Sequence, residues 1–133
     1  MPNALIFPMT AHVLLTALLY VLLTIARAPS VWGLGQRADG SNPWALIEPR
    51  ISANLSNQFE WPVLFYAACL ILLHEAGPIA IALSWIFVAG RFLHSAVQIF
   101  TSNIRLRGIV FTMNFVAVLG LWALILVSTL GKS

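Results

Sequence analysis

Charge is what this sequence has least of. Only 8% of its 133 residues are charged, against about a quarter in an ordinary soluble domain, so the chain cannot clothe a water-facing surface. Acidic residues are scarcest, with only Asp39, Glu48, Glu60 and Glu75. The single cysteine, Cys69, excludes an internal disulfide and a Cys-x-x-Cys redox pair. On an apolar run it reads as a small buried hydrophobe. No basic run is present, and the aromatics fall within apolar stretches, which argues against nucleic-acid binding. His74-Glu75 lacks the second histidine of a zinc-protease helix. Gly33-Leu34-Gly35 lacks the third glycine and the preceding strand of a dinucleotide fingerprint. Neither a metal nor a dinucleotide is expected.

What the sequence has in abundance is apolar length. Hydrophobic residues make up 60% of it, gathered in four runs. The first, Leu5 to Ala26, covers roughly 33 Å at about 1.5 Å per residue, enough for a hydrocarbon core of about 30 Å. It lacks the basic start of a signal peptide and exceeds the usual apolar length of one. The others span about 51–73, 79–100 and 109–130, with Pro62 expected to bend the second. The expectation is an all-α integral membrane protein, a bundle of four transmembrane helices forming one domain over 1–133. Residues 27–50, rich in proline and glycine, make the long connection, where Trp32 and Trp44 suit a headgroup anchor. Arg27, Arg37, Arg50, Arg105 and Arg107 fall in the 27–50 and 101–108 segments, against Lys132 alone on the other side. The positive-inside rule then puts those two segments in the cytoplasm and both termini outside.

Polar residues within the runs are costly in a bilayer and mark function by default. Arg91, His94 and Gln98 follow i, i+3, i+7 spacing and share about 60° of arc, with Ser84, Ser95 and Ser102 nearby. Arg50, Asn54, Asn57 and Glu60 cover about 120° of the second helix. Glu60 and Arg91 lie about 12 Å and about 14 Å from the cytoplasmic ends of their helices, which predicts an ion pair between them, within one subunit or across an interface. His12 and His74 stand alone and read as incidental, and Asn114 as an interhelical hydrogen-bond former. The crowding of arginines and amides towards one face suits an anionic, polar ligand arriving from the cytoplasm.

The run Asn54-Leu55-Ser56-Asn57-Gln58-Phe59-Glu60-Trp61-Pro62, followed by Arg91-Phe92-Leu93-His94 and by Arg107, resembles the MAPEG superfamily. These are the membrane-associated proteins of eicosanoid and glutathione metabolism. Phe59-Glu60-Trp61-Pro62-Val63-Leu64-Phe65-Tyr66 is similar to a bacterial branch, which implies the bacterial inner membrane. The resemblance implies a homotrimer that binds glutathione between subunits near the cytoplasmic side. It assigns Arg107 the catalytic place beside the glutathione thiol. It also implies substrate-binding roles for Asn57, Glu60 and His94, beside which Arg50, Asn54, Arg91, Gln98 and Arg105 crowd. The family's usual arginine four residues before the asparagine is Ala53 here, and its usual tyrosine four after the histidine is Gln98. The implied function is a glutathione-dependent transferase or peroxidase acting by thiolate attack on lipophilic electrophiles. Its partners would be membrane lipids, a lipophilic substrate and further copies of itself. The alternatives are a non-catalytic scaffold that binds lipid or glutathione on the same fold, and a small exporter using Glu60.

Overall fold

A computed structural model describes residues 3–132; the predicted extent 1–133 also takes in 1, 2 and 133, which lie outside the described residues. Five helices follow in chain order: α1 (Ile6–Trp32), α2 (Glu48–Asn57), α3 (Pro62–Leu72), α4 (Pro78–Phe100) and α5 (Ile104–Leu130). Among the described residues, α1, α4 and α5 are long and apolar enough to cross a membrane.

The first helix runs past Ala26, the predicted end, to Trp32, with Pro29 inside it. The following loop bonds to carbonyls near its end, among them Pro29 O, one of the last four, which have no partner within the helix. Gln36 Nε2 donates to Pro29 O at 2.9 Å, and Asn42 Nδ2 donates to Ala26 O at 2.9 Å. The helix stops at Gly33, whose φ of 70° lies in the left-handed region that a β-carbon disfavours.

The predicted second helix, 51–73, is interrupted rather than bent. Proline has no amide hydrogen, so Pro62 cannot donate to the carbonyl of Gln58. The backbone tightens there: Gln58 N and Phe59 N reach back three residues, to Leu55 O and Ser56 O. The two halves still form a single course antiparallel to α4. Arg50 meets Ile99 and Ser102, Asn54 meets Gln98, Gln58 meets Ser95 and Arg91, and Cys69 meets Ser84. The first helix runs antiparallel to the same course, since His12 meets Tyr66 and Gln58 while Arg27 meets Glu48 and Ser52.

The last helix starts at Ile104, five residues before its predicted start near Ile109. Asn103 caps it, its side-chain oxygen accepting from Leu106 N at 3.0 Å. Arg105 and Arg107 therefore ride on its first turns instead of a loop.

The core lies between α3, α4 and α5. Phe65 and Phe87 stack there at 4.1 Å between ring centres, among Cys69, Val118 and Leu121. Burial of Cys69 matches its reading as a small hydrophobe. At Gly90 the approach of α5 leaves no room for a side chain, because an added β-carbon would collide with Asn114 and Met113. Asn114 is fully buried, yet neither end of its amide has a hydrogen-bond partner among the described residues. The interhelical bond predicted for it is not formed among the described residues: it faces Gly90 across the seam, which offers no side-chain group. Leu14, Leu18, Ile71, Val116 and Leu126 are all exposed, an exterior suited to acyl chains rather than water.

Candidate functional site

The buried polar residues sort themselves around Gln58, at the end of α2, where the helix break begins. Its side-chain oxygen accepts from Arg91 Nε at 3.1 Å and lies 2.9 Å from His12 Nε2. Its nitrogen donates to Asn54 O at 3.1 Å, Asn54 Oδ1 at 3.2 Å and Ser95 Oγ at 3.4 Å. Further along, Asn54 Nδ2 donates to Gln98 Oε1 at 2.9 Å, and Asn57 Nδ2 donates to the same oxygen at 3.2 Å. In the other direction, His12 Nδ1 lies 2.6 Å from the Tyr66 hydroxyl.

Arginine has only donors, so its contact fixes the amide orientation of Gln58. Oε1 must face Arg91, and His12 Nε2 must then carry the hydrogen. In the neutral ring Nδ1 is left to accept from Tyr66. The hydrogen bonds consequently run one way: Tyr66 to His12, His12 to Gln58, Gln58 to Asn54, Asn54 to Gln98. One end of the chain retains a free amide donor on Gln98, and the other a phenol oxygen that can only accept.

The Gln98 end opens into a cleft of about 310 Å³ at the basic end of the molecule, lined by Arg50, Gln98, Ser102, Asn103, Ile104 and Arg107 among others. Among the described residues, no acidic one lines it. Arg50 reaches the last carbonyls of α4, its guanidinium 3.4 Å from both Ile99 O and Ser102 Oγ, where a cation suits the negative end of the helix dipole. Those are long contacts, so the side chain is only loosely held. Arg107 sits within the first turns of α5, where the dipole disfavours positive charge. Two arginines and the N-terminus of a long helix thus face one concavity, and an anion there is favoured by all three.

The predicted site residues divide accordingly. Arg50, Gln98 and Arg107 line the cleft, with Asn54 and Asn57 directly behind Gln98. Arg91 and His94 are buried deeper, at 1% and 4% exposure, and His94 is within electrostatic reach of both Arg91 and Arg107. Arg105 and Glu60 are exposed and do not line the cleft. The predicted Glu60–Arg91 ion pair is absent among the described residues of the subunit, whose ion pairs are Arg27–Glu48 and Lys132–Glu75. Glu60 acts on Arg91 only through space. The helix break at 58–61 turns it outwards, and the neutral Gln58 takes the place expected of it.

His12, read as incidental, is 1% exposed and central to the network. Gln58 was legible in principle, since Arg50, Asn54 and Gln58 repeat at i, i+4 and i+8 on one helix face. Tyr66 as the partner of His12 had no signal in the sequence.

The sequence pattern of the MAPEG family matches residues 5–127. The chain belongs to the MAPEG family, which makes it a membrane protein of the glutathione- and eicosanoid-related class. No curated protein and no solved structure matches it.

Proposed function

We infer that this protein is a glutathione-dependent membrane enzyme of the transferase or peroxidase type, acting on lipophilic electrophiles. The observation that carries the reading is the cleft: Arg50, Arg107 and the N-terminus of α5 converge on it, with no acidic residue in its described lining. Glutathione has two carboxylates to meet the arginines and a peptide backbone for the Gln98 amide. The cleft's described lining offers no carboxylate to its amino group, and it is open on one side. A homotrimer would close it, with an acidic residue such as the exposed Glu60 of a neighbouring subunit available for the ammonium.

When bound, glutathione supplies a nucleophilic sulfur. Arg107 would hold that sulfur as the thiolate by charge, and Arg50 would orient the tripeptide through a carboxylate. Arg91, His94 and Glu60 would support the ligand from within or across the subunit boundary, and Arg105 would add to the field at the cleft mouth. In the membrane we assign the cleft end to the cytoplasm of a bacterial inner membrane, with both termini outside. The arginines of the cleft end, against the single Lys132 at the other, support that orientation.

A second reading is a non-catalytic scaffold, favoured by Gln98. Its oxygen is held by two asparagines, it cannot ionise, and neither Tyr20 nor Tyr66 lines the cleft.

The test is glutathione binding, ultraviolet thiolate absorbance and turnover with a generic electrophile, measured on purified protein in detergent. Arg107→Ala should weaken binding about tenfold to a hundredfold, the range for a charge-assisted hydrogen bond, and abolish the thiolate signal. Tight binding without thiolate in the unaltered protein would establish the scaffold. No binding at all would overturn the glutathione reading and leave only a lipid-binding scaffold.

A further inference from the structure

The buried side-chain atoms that lack a hydrogen-bond partner among the described residues are not scattered. They are Trp61 Nε1, Arg91 Nη2, His94 Nδ1 and both ends of the Asn114 amide, and they gather about one stretch of the α4–α5 seam. Asn114 faces Gly90, the residue before Arg91. His94 stands one turn beyond Gly90 on the same stripe of α4. Its ring lies 6.3 Å from Phe111, one turn before Asn114 on α5. Trp61 stacks at 4.7 Å on Phe115, the neighbour of Asn114. Arg91, His94 and Asn114 are at most 4% exposed. Native interiors leave few buried polar groups unpaired, and an ordered water commonly satisfies them with about three hydrogen bonds.

The roles of these atoms are fixed by chemistry. Arg91 Nη2, Trp61 Nε1 and Asn114 Nδ2 can only donate. Asn114 Oδ1 is turned to Gly90, which can meet an oxygen with a Cα–H, so Nδ2 is the unspent end of the amide. That leaves His94 Nδ1 as the remaining atom able to accept. A water that accepts from Arg91 and Asn114 has only hydrogens left to give. The span also suits one, since Gly90 and His94 are about 6 Å apart along the axis of α4, about twice a hydrogen-bond length.

We propose that a buried water bridges Arg91 Nη2, Asn114 Nδ2 and His94 Nδ1. Asn114 is then a positioning residue for His94, holding the imidazole in the form that carries its hydrogen on Nε2. The donor-only arginine that orients Gln58 on one side orients this water on the other. Nε2 becomes a donor, the sense that an anionic ligand needs. Its value to a ligand rests on the glutathione reading; the water and the ring form do not.

The experiment uses the full chain labelled with nitrogen-15 at histidine and reconstituted in lipid. Solid-state NMR signals of His94 are assigned by their loss in His94→Gln. In the unaltered protein Nδ1 should be bare, and polarisation started on water should reach the ring. Asn114→Leu should remove the transfer from water and let both ring forms appear. Asn114→Ser, whose hydroxyl can donate to the water, should restore the unaltered pattern. A hydrogen on Nδ1, or no transfer from water, in the unaltered protein would overturn the proposal whether or not the variants fold. So would an unchanged ring in Asn114→Leu, or the same loss in Asn114→Ser, which would leave Asn114 a packing role alone. Loss of glutathione binding with the ring pattern intact would count against the functional reading and leave the water site standing.

Discussion

The cleft and an apolar groove between α1 and the α2–α3 course lie at opposite ends of one chain of side chains, yet the chain ends differently at each. The cleft is basic, and its share of the chain ends in the free amide donor of Gln98. The groove is apolar, and its share ends in the acceptor oxygen of Tyr66. The difference arises because five polar side chains are bonded in a single direction, and that direction is set by Arg91, which can only donate. A buried arginine more than a turn away thus decides which polar atom each end of the chain presents. Its Nη2 has no partner among the described residues, so the hydrogen bond to Gln58 carries much of what holds it.

Gln58→Leu should have the largest effect, because it severs the chain at its centre. The substitution strands Nε of Arg91, Nε2 of His12 and Oδ1 of Asn54, all on buried residues. Leaving a buried donor or acceptor unsatisfied costs about 1–3 kcal/mol, and more for a charged group such as Arg91. Thermal unfolding in detergent should show a large fall in midpoint; an unchanged midpoint would mean that the network does not support the fold.

Gln98→Leu sharpens the comparison instead of destroying it. It removes the donor at the cleft end and leaves Tyr66, His12 and Gln58 bonded as before. Glutathione affinity should drop about fivefold, the worth of one neutral hydrogen bond, while the protonation of the His12 ring stays the same. A change at His12 would show that the two ends of the chain are not independent.

Much of this architecture could be read from the sequence, but unevenly. Four apolar runs were visible from composition, and the inward polar stripe of α4 is where spacing put it, with Ser84, Arg91, His94 and Ser95 buried. The convergence of Arg50, Gln98 and Arg107 also followed from their crowding at one end. The errors share a physical origin in continuity. The second run was treated as one helix, which placed Glu60 at the depth of Arg91; the interruption before Pro62 moves Glu60 out and brings Gln58 in. Charge complementarity favoured the carboxylate, although a neutral amide also satisfies an arginine and supplies donors to Asn54 and Ser95. The start of α5 was missed because a capping asparagine followed by arginines looks like a loop. The role of His12 depends on Tyr66, 54 residues away, and no local pattern reports a contact of that range.

The direction of the chain is tested most directly at the imidazole of His12. Protein labelled with nitrogen-15 at histidine, reconstituted in lipid and assigned by loss of the signal in His12→Gln, reports which ring nitrogen carries hydrogen. A protonated Nε2 and a bare Nδ1 are expected in the neutral ring. A hydrogen on Nδ1 with Nε2 bare would reverse the Tyr66 contact, break the contact with Gln58 and contradict the opposed polarity of the chain's two ends.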